Sequence, residues 1–177
     1  SANASRLNYL SRTTPADLCS SSLVNFDKAV LAALGAVAGL VLTQQQQAQV
    51  SLPLKQGGLG LTSANALADT SYIASRALTH ELCVQIRPSH RWDSDGSPLA
   101  RALQRCSVDL QKPEVLIAEP SLLKQHSMMR EVKHRHVERW REAAAPDDRC
   151  RLDAFSAAGA GSEYSLVPSK TLDTNFS

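Results

Sequence analysis

The chain has 177 residues, enough for one full core, or for one core with a trailing segment. Hydrophobic residues make up 43% but aromatics only 5%, so the core has to be built from Ala, Leu and Val and buries little area per residue. The formal net charge of +2, from 19 basic and 17 acidic residues, is too balanced to announce nucleic-acid binding without a concentrated basic face.

The opening SANASRLNYL lacks a charged start followed by an apolar run, so no signal peptide is expected there. Arg6–Arg12 has the length of one or two helical turns. Thr14 and Pro15 look like the cap and first position of a helix, and the run Ser20–Ser22 is expected to break it or cap the next one. From Asn25 the sequence FDKAVLAALGAVAGLVL is strongly helical. Phe26, Val30, Leu34, Val37 and Val41 fall on one face, which predicts a buried core helix. The uncharged run Ala29–Leu42 is about 14 residues, short of the roughly 20 that span a bilayer, so no membrane insertion is expected. Gly35 and Gly39 have the spacing that lets helices approach closely in lipid or in a protein core. Gln44–Gln47 ends this helix on a solvated face or forms a short helix of its own.

Leu52–Ile86 is the best-defined stretch. Pro53 stops what precedes it, and Gly57, Gly58 and Gly60 permit a tight turn. Thr62 or Ser63 then caps a helix with an apolar stripe of Leu67, Ala74, Leu78, Leu82 and Ile86, widened by Ala66, Ile73 and Ala77. Arg87-Pro88 ends it, followed by a polar loop. Ser97-Pro98 opens a short helix with Leu99, Leu103 (or Ala102) and Cys106 on one side. Lys112-Pro113 breaks again, and a longer helix over 121–145 carries the basic cluster REVKHRHVERWR. Pro146 starts a last short helix.

These elements predict an all-α fold, an irregular bundle of about six helices with a polar, loosely ordered C-terminal tail. The expected organisation is a helical bundle over 1–86 with its pivot at 52–61, peripheral helices over 87–155 and a tail over 156–177.

Lys55 precedes the glycines of the turn and no strand leads in, so both a Walker loop and a dinucleotide fingerprint fail on spacing. His134 and His136 point about 200° apart on a helix and His126 is two turns from His134, so neither metal nor cofactor is expected. The pairs Asp93–Asp95 and Asp147–Asp148 sit in a turn-rich loop and at a helix start, where structure accounts for them. No nucleophile motif is present, so no catalytic residue is assigned. The candidate nucleic-acid contacts are Lys55, Arg130, Lys133, Arg135, Arg139 and Arg141, with Trp140 either a stacking surface or a core anchor. Against them stand the interleaved Glu131, Glu138 and Glu142. Cys19, Cys83, Cys106 and Cys150 lie far apart and read as free thiols of an intracellular reducing compartment, whether nuclear, cytoplasmic or organellar.

The segment LPLKQGGLGLTSANALADTSYIAS resembles a stretch common in the reverse-transcriptase polyproteins of non-LTR retrotransposons. The matching residues are Leu52, Pro53, Gly57, Gly58, Leu59, Gly60, Leu61, Ser63, Ala64, Tyr72, Ile73, Ala74 and Ser75. RLNYLSRTTP and FDKAVLAALGAVAG are similar to helices that follow the palm in that family, and DDRCRLDAFSAAGAGSEYSLVPSKTLDTNF to a later family pattern. The chain departs from that pattern where Tyr164-Ser165-Leu166 replaces a Trp-Leu pair, and it lacks the Tyr/Phe-x-Asp-Asp polymerase motif. The resemblance implies a thumb and post-thumb connector that does not polymerise and contacts RNA or RNA–DNA duplex backbone. The alternative is a remnant recruited as a structural subunit of an organellar or ribonucleoprotein particle, acting through protein partners.

Overall fold

The computed structural model describes residues 2–92 and 96–156. Asp93 and Asp95, and the tail expected beyond 156, lie outside them. The described residues form seven α-helices, α1 (Ala2–Thr13), α2 (Ala16–Ala38), α3 (Gln44–Ser51), α4 (Ala64–Ile86), α5 (Pro98–Leu110), α6 (Gln125–Ala143) and α7 (Pro146–Ser156), with three 3-10 turns and no strand. The fold is all-α, as the periodicity predicts. The chain divides into two compact units: 1–42 with 62–136, and 43–61 with 137–177.

The first unit is arranged around α4. Ser63 caps it, its hydroxyl accepting from the Ala66 amide at 3.0 Å. A second acceptor comes from the middle of α2: Asp27 takes the Ser63 hydroxyl and the Ala64 and Asn65 amides, the latter two at 2.8 and 3.2 Å. A carboxylate at a helix N-terminus satisfies orphan amides and complements the helix dipole. The middle of α4 is buried on both sides. Ala68 packs with Ala16, Cys19 and Leu23 of α2. Tyr72, Ile73 and Ala74 pack with Leu99, Ala102, Leu103, Cys106 and Leu110 of α5 and with Val132 of α6. Ser97 caps α5, with Pro98 in the first turn where its missing N–H costs nothing.

The second unit is smaller. Leu52, Val137, Trp140, Ala144 and Leu152 form its core, drawn from the two ends of the unit's sequence. Trp140 is thus a core anchor rather than a stacking surface. Gln44–Gln47 opens α3, with all four side chains exposed, and Thr43 and Gln46 close a capping box at its start.

Several local expectations are overturned. Pro15, not Thr14, takes the cap position of α2, and no side chain caps that end. Ser20–Ser22 leave α2 unbroken, because helix packing through Cys19 and Leu23 outweighs their weak turn preference. The apolar face of α2 is not a core face: Val37 is 88% exposed and Val41, beyond the helix end, 95%. By length and composition α2 is a helix that could cross a membrane, yet almost none of its apolar window is buried. Gly35 and Gly39 serve the helix's own end. Gly39 adopts a left-handed φ of 67° and the Leu40 amide donates back to the Gly35 carbonyl at 3.0 Å, a Schellman-type cap. A Cβ on Gly35 would lie 2.8 Å from the Leu40 carbonyl oxygen. On α4, Leu78, Leu82 and Ile86 are 74%, 56% and 77% exposed, so only the first half of its stripe is core.

Candidate nucleic-acid interface

The turn at 52–61, in the second unit, is built from its backbone outward. Leu52 is buried, Pro53 introduces a 3-10 turn over Leu54–Gln56, and Gly57 closes it at φ 73°. The amides of Gln56, Gly57, Gly58, Leu59, Gly60 and Leu61 donate to the carbonyls of Pro53, Leu54, Pro53, Val50, Leu52 and Val50. Gln49 adds its side-chain amide to the Gly57 carbonyl at 3.3 Å. A phosphate-cradling loop needs its amides pointing outward and unoccupied; here every amide from 56 to 61 is used within the chain. Lys55 stands exposed on this turn without an ion pair among the described residues.

The other candidates lie on α6, and the helix does not gather them on one side. At about 100° per residue, Arg130 and Lys133 are roughly 60° apart, whereas Arg135 is turned about 140° from Arg130. These three belong to the first unit. Arg139 and Arg141 belong to the second and point about 200° apart. Arg141 is committed to Asp153 of α7 at 2.6 Å.

Charge pairing sorts the cations further. Glu131, which lies beside Arg130 in sequence, receives Lys112 Nζ at 2.7 Å, and that hydrogen bond holds its carboxyl below the usual value. Arg130, exposed, and Lys133, half-buried, have no ion pair among the described residues. Elsewhere in the first unit two arginines are consumed: Arg105 grips Asp69 through two bonds of 2.9 and 2.7 Å, and Arg101 holds Asp17 at 2.8 Å. The Asp69 hydrogen bond raises the Arg105 guanidinium, and the Arg101 hydrogen bond lowers the Asp17 carboxyl. Such forked pairs are structural braces between α4 or α2 and α5.

The residue pattern alone does not reveal a cavity of about 550 Å³ in the first unit, between the end of α1, the second half of α4 and the turn at Pro120. Ala77, Leu78 and Leu123 supply apolar wall, and Arg12, Glu81 and Lys124 charged rim. The exposed ridge of Leu78, Leu82 and Ile86 runs on from it along α4. Nothing in the sequence places Arg12 beside α4; the signal was only the apolar spacing, read as core.

Asp148 accepts from Gln45 at 2.6 Å and lies 3.8 Å from Arg151, which explains that acid structurally. All four cysteines are free thiols. Among the described residues, no group of three or more His, Cys, Asp or Glu side chains is placed to hold a metal. Compared with family models, with curated proteins and with solved structures, the chain shows no match in any of the three.

Proposed function

We propose that this chain is a non-catalytic helical module of reverse-transcriptase type that contacts the backbone of RNA or an RNA–DNA duplex. The observation that carries this reading is the pair Arg130 and Lys133, on adjoining faces of α6 with no ion pair among the described residues, while Lys112 neutralises the acid between them. Backbone recognition needs positive charge at a surface, not base-reading groups, and Arg130 and Lys133 supply it on the first unit. The resemblance at Leu52–Ser75 supports the same reading, since its glycines serve the turn and not a reaction. Fluorescence anisotropy with an RNA–DNA hybrid at stepped salt concentrations tests it. Affinity should fall log-linearly with salt, and replacing Arg130 and Lys133 by Ala should make that dependence shallower by about 0.9 for each phosphate left without its cation. Binding that is absent, or insensitive to salt, would end the proposal.

The exposed ridge Leu78–Leu82–Ile86 beside the cavity favours a second reading, a structural subunit that docks protein partners in a larger assembly. Its rim carries Arg12 and Lys124 against Glu81 and Glu119, charges of both signs that a partner would match. Stoichiometric co-purification that is abolished in Leu82→Glu supports it; a bare monomer from native extract counts against it.

A further inference from the structure

We infer that the cavity in the first unit is a binding site for a small aliphatic carboxylate, with Arg12 holding the carboxylate and the wall of α4 the hydrocarbon. Its volume of about 550 Å³ is that of a site for a small organic molecule, not of a packing defect. The body of the ligand follows from the walls. Ala74, Ala77 and Leu78 of α4, with Pro120 and Leu123, make them aliphatic. A flat heterocycle gains most from stacking on Phe, Tyr or Trp, and none of these lines the cavity, so a flexible hydrocarbon is the better match.

The head group follows from Arg12. This residue is always cationic, it is half-buried, and it has no ion pair among the described residues. That sets it apart from Arg101 and Arg105 of the same unit, each paired with an aspartate. A charge partly withdrawn from water attracts its opposite more strongly than an exposed charge does. Lys124, Glu81 and Glu119 also line the cavity, but all three are exposed, where water and salt screen them. The planar guanidinium suits a carboxylate, which it can grip through two parallel hydrogen bonds.

His80 adds polar chemistry to the same lining. Its ring packs on those of His90 and Trp92, with centroids 5.4 Å apart in each pair, and its Nδ1 is buried without a hydrogen-bond partner. Buried polar atoms are rarely left so, and an orphaned nitrogen on a lining residue marks an unmet polar demand at that wall. The inference goes beyond both readings of function above and depends on neither. Arg130 and Lys133 are not among the lining residues, and Leu82 and Ile86 lie outside the cavity.

Isothermal titration calorimetry of the full chain with decanoate, kept below its micelle concentration, tests it. Decanol and decyltrimethylammonium serve as neutral and cationic ligands of matched chain. Decanoate should bind with a stoichiometry of one, and the other two at least tenfold more weakly. Arg12→Met keeps an apolar stem and removes the charge. It should weaken decanoate about tenfold and leave decanol unchanged. Leu78→Glu, at a position 74% exposed where folding tolerates the change, sets a carboxylate in the wall and should weaken decanoate by at least as much. Unchanged melting curves verify both folds. No saturable uptake of decanoate, equal affinity for decanol or the cation, or a decanoate affinity indifferent to either variant overturns the inference.

Discussion

Gly58 shows how one missing side chain fixes a turn. A Cβ there would press on the carbonyl of Leu52 and come within 2.7 Å of the Gln49 carbonyl oxygen, both backbone atoms that cannot swing aside. Gly58→Ala should therefore destabilise the second unit by about 1–3 kcal/mol, more than Gly57→Ala, where the cost is that of a left-handed alanine, about 1–2 kcal/mol. Urea midpoints of the two variants check the order. The glycines are readable in the sequence as a structural turn. Which of them resists substitution is not, because the answer depends on where the Leu52 and Gln49 carbonyls come to rest. Cysteines make the same point. Burial pushes the Cys106 thiol up to about 12, and burial also raises that of Cys19, whereas Cys150 is exposed. Iodoacetamide at neutral pH should label Cys150 first and leave Cys106 and Cys19 until the chain unfolds, as peptide mapping would show.

At the scale of elements, α4 and α2 are both legible as helices, yet their partners are not. Ser63 announces the start of α4, and Pro98 that of α5. Nothing local announces that Asp27, in the middle of α2, is a cap for α4. Asp27→Ala should cost about 1–2 kcal/mol and lower amide protection in the first turn of α4, measured by hydrogen exchange. Asp27→Asn should lose less. The stripe on α2 misleads for a simple reason: apolar periodicity reports that a face wants cover, and says nothing of whether this chain supplies it. The stripe on α4 divides on the same ground, with Ala74 covered by α5 and Leu78 onward left open. The basic cluster of α6 is visible as composition. Its scatter around the helix follows from the 100° step, but the pairing of Glu131 with Lys112 is a tertiary fact.

For the molecule as a whole, the braces imply a direction for acid stability. Asp17 and Glu131 have folded carboxyls below their ordinary values of 3.8 and 4.5. The folded state thus binds fewer protons than the unfolded one at acid pH. Their contribution is complete above those ordinary values and is lost as pH falls through the lowered ones. Both pairs are partly solvent-exposed, so each is worth less than about 1 kcal/mol. Urea unfolding between neutral pH and about pH 2 should show the loss, and Asp17→Asn should flatten the profile.

The second unit carries a consequence for the order of events in folding. Leu52 finds its core among Val137, Trp140, Ala144 and Leu152, while the intervening residues 62–136 belong to the first unit. During synthesis the turn at 52–61 can make its internal hydrogen bonds early, but its leucine waits, unburied, for residues made long afterward. Distant closure of this kind slows folding and prolongs exposure of apolar surface. A nascent chain halted before Val137 would carry the turn complete in outline and Leu52 without a place to go.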